Sequence, residues 1–340
     1  MKTYALCTLS TGLDPLRQIA GQVPLAGAIG LTRRPPTDAI SGYTYVGDAC
    51  EGLGLPFVPV ERYALDDAED RRRLLSLDMD LLLVLGWQRL LPDWLLQHCR
   101  VGAIGNHGSA YGIAGGRGRS PQNWALLLGE RRFEISIFFL EPAVDSGRVI
   151  DTRSFDLTEH DDIRTSYRKA GRCVADMIVD NLKNGRIAAR EGRAQHGPAR
   201  YLPQRLPEDG EIDWRRTTRE LHDFVRALTR PYPGAFSRFD GGTVSIWGAQ
   251  PFSSERGSAE PGRVVERFES GELLVATGDG LLLVTDYTAE PADASTRVRA
   301  GVRLASCDFR AQMRAIVERH RRKHPDLPLA EPILRLAGMA

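Results

Sequence analysis

Three short stretches combine proton-moving side chains with glycines that let a backbone turn sharply. They are Gly105-Asn106-His107-Gly108-Ser109, then Gly118-Arg119-Ser120-Pro121-Gln122-Asn123-Trp124-Ala125, then Asp145-Ser146-Gly147. An imidazole and a carboxylate thereby stand at the ends of two apolar runs, residues 101–104 and 135–140, both of which read as buried strands. In an open α/β sheet, ligands bind just beyond the carboxyl ends of the strands. A histidine oriented there by an aspartate can shuttle a proton and stabilise charge developing on a carbonyl oxygen. The chemistry this points to is acyl transfer. Taken alone, such a histidine is more often held in a core by a backbone carbonyl, and Asp-x-Gly more often shapes a turn. The functional reading therefore rests on the pair and its flanking segments together.

Positioning these groups requires a sheet. Residues 4–9, 26–31, 57–60 and 80–85 read as strands, and the continuously apolar 81–85 suits a strand covered on both faces. Helical patterns cover 14–20, 92–99 and 121–128, the last with Pro121 near its first turn. A longer helix is expected over 161–183. Thr158 and Asp161 form its capping-box-like start, Ile163, Tyr167, Ala170, Val174, Met177, Ile178 and Leu182 recur at helical spacing, and Asn184-Gly185 stops it. Strand, crossover helix, strand is the grammar of a parallel sheet. The expected fold class is therefore α/β, with a Rossmann-like, mostly parallel sheet over residues 1–189. Residues 190–206 are polar and contain Gly192, Gly197, Pro198 and Pro203, the composition of a linker. A helix at 217–228 and turn-punctuated strands at 243–249, 262–265, 273–277 and 281–286 suggest a small OB-like β-barrel domain over 207–315. Residues 316–340 read as a basic tail.

Composition narrows the function classes. Lys and Arg number 45 against 44 Asp and Glu, leaving a net charge of +1, so no strong field favours a nucleic acid. The five cysteines are widely spaced without a CxxC pair, and neither a metal site nor a disulfide framework is expected. No signal peptide and no apolar run of membrane-spanning length is apparent, and a cytoplasmic location is expected.

His107-Gly108-Ser109, the Gly118 to Ala125 segment, Gly129-Glu130 and Asp145-Ser146-Gly147-Arg148-Val149-Ile150 are similar to the core of the 10-formyltetrahydrofolate-dependent formyltransferases. That family includes methionyl-tRNA, glycinamide-ribonucleotide and amino-sugar formyltransferases. Leu85-Gly86-Trp87-Gln88-Arg89-Leu90-Leu91-Pro92 resembles its folate-loop segment. Pro207-Glu208-Asp209-Gly210-Glu211-Ile212-Asp213-Trp214, Val225-Arg226-Ala227, Pro231-Tyr232-Pro233-Gly234-Ala235-Phe236-Ser237 and Gly278-Asp279-Gly280 resemble the C-terminal domain of its two-domain members.

The resemblance implies roles. His107 would donate to the formyl oxygen, and Asp145 would orient His107 and assist removal of the amine proton through water. The family places an Asn two positions before the His; here that position is Gly105 and the asparagine is Asn106. A local bulge, which Gly105 permits, would let Asn106 serve as the third catalytic group. Gly86, Trp87, Arg89, Leu90, Leu91, Leu140, Glu141, Val144 and Asp145 would bind 10-formyltetrahydrofolate, the formyl donor. Ser109, Arg117 and Arg119 would bind the acceptor. The implied acceptor is an amine or hydroxylamine of a small molecule. The Pro231 to Ser237 run and Val244-Ser245-Ile246-Trp247 favour a nucleotide-linked amino sugar, with a specialised-metabolite precursor as the other choice. A homodimer is the expectation for such a family member. The shifted asparagine and the glycines at 112, 115 and 116 keep two alternatives in view: hydrolysis of 10-formyltetrahydrofolate, and a repurposed folate-binding protein.

Overall fold

A computed structural model describes the chain except for residues 34–39, 41, 143, 144 and 256. Contacts divide it into two compact units that interleave in sequence: Met1–Arg117, Arg132–Asp156 and Tyr167–Pro198 form the first, and Gly118–Arg131, Leu157–Ser166 and Ala199–Ala340 the second. Residues 190–198 of the expected linker thus fall in the first unit and 199–206 in the second.

The elements up to the long helix are, in chain order, β1 (Thr3–Cys7), α1 (Leu13–Ala20), β2 (Gly27–Leu31), α2 (Gly47–Leu53), β3 (Phe57–Val60), α3 (Ala68–Leu75), β4 (Leu81–Gly86), α4 (Asp93–His98), β5 (Gly102–Ser109), α5 (Gly112–Gly115), β6 (Arg117–Gly118), α6 (Pro121–Leu127), β7 (Arg132–Phe139), β8 (Val149–Asp156) and α7 (Ile163–Lys183). The first unit is built on a seven-stranded sheet ordered β3-β2-β1-β4-β5-β7-β8. β1 to β5 are parallel, whereas β7 runs antiparallel to β5 and to β8. The strand order reverses between β1 and β4, the point at which open α/β sheets hold ligands.

Period-two alternation distributes the strand side chains between two apolar clusters. Ala5 and Cys7 of β1 join Leu81, Leu83 and Leu85 of β4 and the buried stripe Ala170, Val174, Met177 and Ile178 of α7. Leu6, Leu82 and Val84 instead join Ile29, Leu31, Leu74, Trp87 and Leu95. The wholly apolar sequence of β4 follows from burial on both faces.

The second unit contains β9 (Tyr201–Leu202), α8 (Thr218–Leu228), β10 (Ala235–Phe239), β11 (Gly242–Ser253), β12 (Val264–Arg267), β13 (Leu273–Ala276), β14 (Leu281–Glu290), α9 (Phe309–Lys323) and α10 (Glu331–Ala337). Strands β10 to β14 form a separate antiparallel sheet ordered β10-β11-β14-β13-β12. Thr217 and Glu220 cap α8 reciprocally. Trp124 of α6 is fully buried and its indole N–H donates to the Pro203 carbonyl at 2.9 Å. The basic residues read as a tail lie largely in α9, whose Phe309, Met313, Ile316, Val317 and His320 are buried while Arg321, Arg322 and Lys323 occupy its last turn, where cations offset the helix dipole.

Candidate active site

β5 continues past its apolar start to Ser109, and His107 therefore sits within a strand and not beyond its end. Pairing with β7 carries the strand this far: the antiparallel register runs unbroken from Ile104–Phe139 through Asn106–Ile137 and His107–Ser136 to Ser109–Glu134. The His107 side chain is 9% exposed. Its Nδ1 lies 3.5 Å from Oδ2 of Asp145, which is 19% exposed. Its Nε2 donates to the Gly116 carbonyl at 2.8 Å. The imidazole is thus held between a carboxylate and a carbonyl from two different loops.

The Asp145 loop is shaped by close backbone approach. Asp145 has φ +49°, a left-handed conformation that Asp tolerates better than most residues. A Cβ at Gly147 would lie 1.6 Å from the Phe139 carbonyl oxygen, so no larger residue fits there without moving the loop. Gln195 anchors this turn. Its Nε2 donates to the carbonyls of Asp145 at 2.7 Å and Gly147 at 2.9 Å, and its Oε1 accepts from Arg117 Nη2 at 2.7 Å. Arg117 Nε is buried without a hydrogen-bond partner among the described residues.

Asn106 does not join His107. The β5–β7 register contains no bulge, so adjacent residues face opposite sides, and the Asn106 amide donates to the Val84 carbonyl at 3.2 Å. Position 105, which shares the parity of His107, is filled by a neighbour: a Cβ there would be 2.5 Å from Cδ2 of Leu140. The expected bulge is absent because every residue of this stretch has a ladder partner.

The remaining expected residues divide. Trp87 is buried beside Tyr63, with ring centroids 4.8 Å apart, and its Nε1 has no partner among the described residues. The Tyr63 hydroxyl accepts from the Gln88 N–H at 2.8 Å and fixes the chain after Gly86. Arg89 lies over the Tyr63 ring, Leu90 is 65% exposed, and Leu91 is half-buried. Leu140 is half-buried, Glu141 is exposed, and Val144 lies outside the described residues. Leu90, Leu91 and Leu140 offer apolar surface of the kind a flat heteroaromatic ligand packs against. Ser109 is fully buried and accepts from the Tyr111 N–H at 2.9 Å, so it turns the chain and is not disposed to meet an acceptor. Arg119 is exposed in the second unit, where its N–H donates to the Leu202 carbonyl.

Two participants were invisible in sequence. Gly116 acts through its backbone, and Gln195 lies in a polar stretch with no periodicity. Among the described residues no group of three or more His, Cys, Asp or Glu side chains is placed to hold a metal, and no helix is long and apolar enough to cross a membrane.

Known proteins share this fold. A methionyl-tRNA formyltransferase of Caldanaerobacter subterraneus subsp. tengcongensis is 26% identical over 255 residues, which cover 70% of this chain and 80% of that protein. HypX from Aquifex aeolicus, solved with tetrahydrofolic acid, superposes with a TM-score of 0.63 at 16% identity over 97% of this chain. That superposition takes in 58% of the HypX chain, and others take in as little as 44%, so the chain spans about half the length of HypX. An N-formyltransferase from Helicobacter canadensis, solved with folinic acid and dTDP-3-aminofucose, gives a TM-score of 0.58 at 13% identity over 84% of this chain and 98% of its own. These structures establish the fold. The formyl transferase family model matches residues 34–181, and the model of the formyl transferase C-terminal domain matches residues 206–296. Matched in that order over well more than half its length, the chain belongs to the formyltransferase family.

Proposed function

We propose that the protein transfers a formyl group from 10-formyltetrahydrofolate to an amine or hydroxylamine of a small molecule. A nucleotide-linked amino sugar is the favoured acceptor class, and a specialised-metabolite precursor is the other. The observation that carries this reading is the His107–Asp145 pair, 3.5 Å apart, inside the segment that matches the family. His107 follows Asn106, whose amide reaches the Val84 carbonyl near the carboxyl end of parallel β4, the side on which open α/β sheets hold ligands.

In the reaction proposed, the acceptor nitrogen forms a bond to the formyl carbon and the carbonyl electrons move to oxygen. His107 holds that oxyanion with a ring N–H; the Nε2 proton now shared with the Gly116 carbonyl is the one that changes partner. Asp145 holds the imidazole in place and accepts, through water, the proton lost by the acceptor nitrogen. As the oxyanion collapses, the bond from the formyl carbon to the folate nitrogen breaks and that nitrogen takes a proton. The products are a formamide or formyl-hydroxylamine and tetrahydrofolate. Trp87, Leu90, Leu91 and Leu140 would enclose the donor, and the guanidinium of Arg117 would meet an anionic group of the acceptor. Residues 1–189 carry the catalytic work in this reading, in a cytoplasmic and homodimeric enzyme.

The test is a formyl-transfer assay with purified protein, 10-formyltetrahydrofolate and a panel of nucleotide-linked amino sugars and hydroxylamines, read by mass spectrometry. Calorimetric folate binding without product from any acceptor sinks the transferase reading. Hydrolysis is the second reading, favoured by Asn106 facing away from His107 and by Leu140 filling the space beside Gly105. Formate release without an acceptor, as fast as any transfer, would establish it.

A further inference from the structure

We propose that Gln195 is a positioning residue that sets both partners of His107 at once. The inference deepens the formyl-transfer reading, on which its kinetic consequence rests. Gln195 lies outside both the histidine strand and the aspartate loop, yet one amide group reaches each loop that touches the imidazole. Its NH2 spans two carbonyls, of Asp145 and Gly147, at 2.7 and 2.9 Å. Its oxygen accepts from Arg117, the residue after the Gly116 carbonyl that binds His107 Nε2.

The amide is itself fixed. Backbone hydrogen bonds of 2.8 Å run in both directions between Arg193 and Val149, and Arg148 Nε donates to the Gly192 carbonyl at 2.9 Å. Gly192 can lie this close because it lacks a side chain: a Cβ would sit 3.1 Å from that of Arg148. The segment thus attaches to the start of β8, just after the Asp145 loop, and delivers the side chain two residues later.

The need for a carboxamide follows from hydrogen-bond inventory. Two carbonyls require two donors on one nitrogen, and the arginine requires an acceptor; glutamine supplies both from one planar group. Glutamate keeps the acceptor but sets a carboxylate against two carbonyl dipoles. Methionine keeps the bulk and loses every hydrogen bond. Either change frees the Asp145 turn, whose φ of +49° needs outside support, and frees the Gly116–Arg117 segment.

The experiment compares wild type with Gln195→Met and Gln195→Glu in the full chain. The ring-nitrogen NMR resonances of His107 are identified by their loss in His107→Asn. Both variants are expected to move those resonances while the other histidines stay in place. They are also expected to lower kcat by about 10²-fold, the usual consequence of an ångström-scale misplacement, with the KM for 10-formyltetrahydrofolate held within about threefold. If Gln195→Met leaves the His107 resonances and kcat at wild-type values, the side chain is filler and the proposal is overturned. If wild type neither transfers nor hydrolyses the formyl group, the functional reading fails. The His107 resonances alone then decide the positioning claim.

Discussion

Replacing Asp145 with asparagine tests whether the pair acts as a unit. The substitution keeps the shape of the side chain and removes its charge. At 3.5 Å, a full positive charge on the imidazole would interact with the carboxylate by about 5 kcal/mol at an effective dielectric of about 20, an upper bound because His107 only shares its proton with the oxyanion. Partial exposure of Asp145 and the remaining amide dipole reduce what is lost, and an oxyanion-stabilising interaction in other acyl-transfer sites contributes about 3–4 kcal/mol. At about 1.4 kcal/mol per factor of ten, the expected loss in kcat is therefore about 10²–10³-fold, with little change in KM for the donor. The assay follows tetrahydrofolate release and formylated product together, using the best acceptor found. His107→Ala should lose at least as much, and the double variant should lose less than the product of the two single losses, because part of what the carboxylate does is exerted through the imidazole. Losses below tenfold in both single variants, or a double variant whose defects multiply, would refute the argument.

Other outcomes follow from packing and burial. Gly147→Ala places a Cβ where the Phe139 carbonyl stands; calorimetric unfolding should show a stability loss of about 1–3 kcal/mol, with transfer activity falling further than stability alone explains. Burial pushes the thiols of Cys7 and Cys99 up to about 12. Above pH 9 the unfolded chain releases protons that the folded chain keeps, so these thiols stabilise the fold fully below pH 9 and progressively less between pH 9 and 12. Chemical denaturation across that range should show the decline, and substituting both cysteines with alanine should lessen it, since Cys307, also pushed up to about 12 by burial, keeps part of it. Alkylation at pH 8 should spare both residues until the chain unfolds.

Much was legible along the chain because it depends on near neighbours. The unbroken apolar run of β4, the helical stripe of α7 and the capping box of α8 are local patterns whose burial has one economical solution. The residue types of His107 and Asp145, with their flanking segments, point by themselves to acyl chemistry. The polar strand was not legible in this way. Gly105, Asn106 and Gly108 have no intrinsic reason to extend β5, and they do so because β7 supplies hydrogen-bond partners from about thirty residues away. That unbroken register turned Asn106 away from His107, where a bulge had been expected.

The sequence by itself determined which side chains a site could draw on: an imidazole and a carboxylate in segments flanking buried strands, and the apolar stretch from Leu85 to Pro92. Tertiary structure alone decided their partners. The Gly116 carbonyl meets the imidazole through a backbone atom that any residue possesses, and Gln195 reaches the Asp145 turn across a sequence separation of 50 residues. Periodicity records which face a residue buries. Contacts made by backbone carbonyls and by side chains distant in sequence leave no period to read, and they exist only once the sheet has brought the loops together.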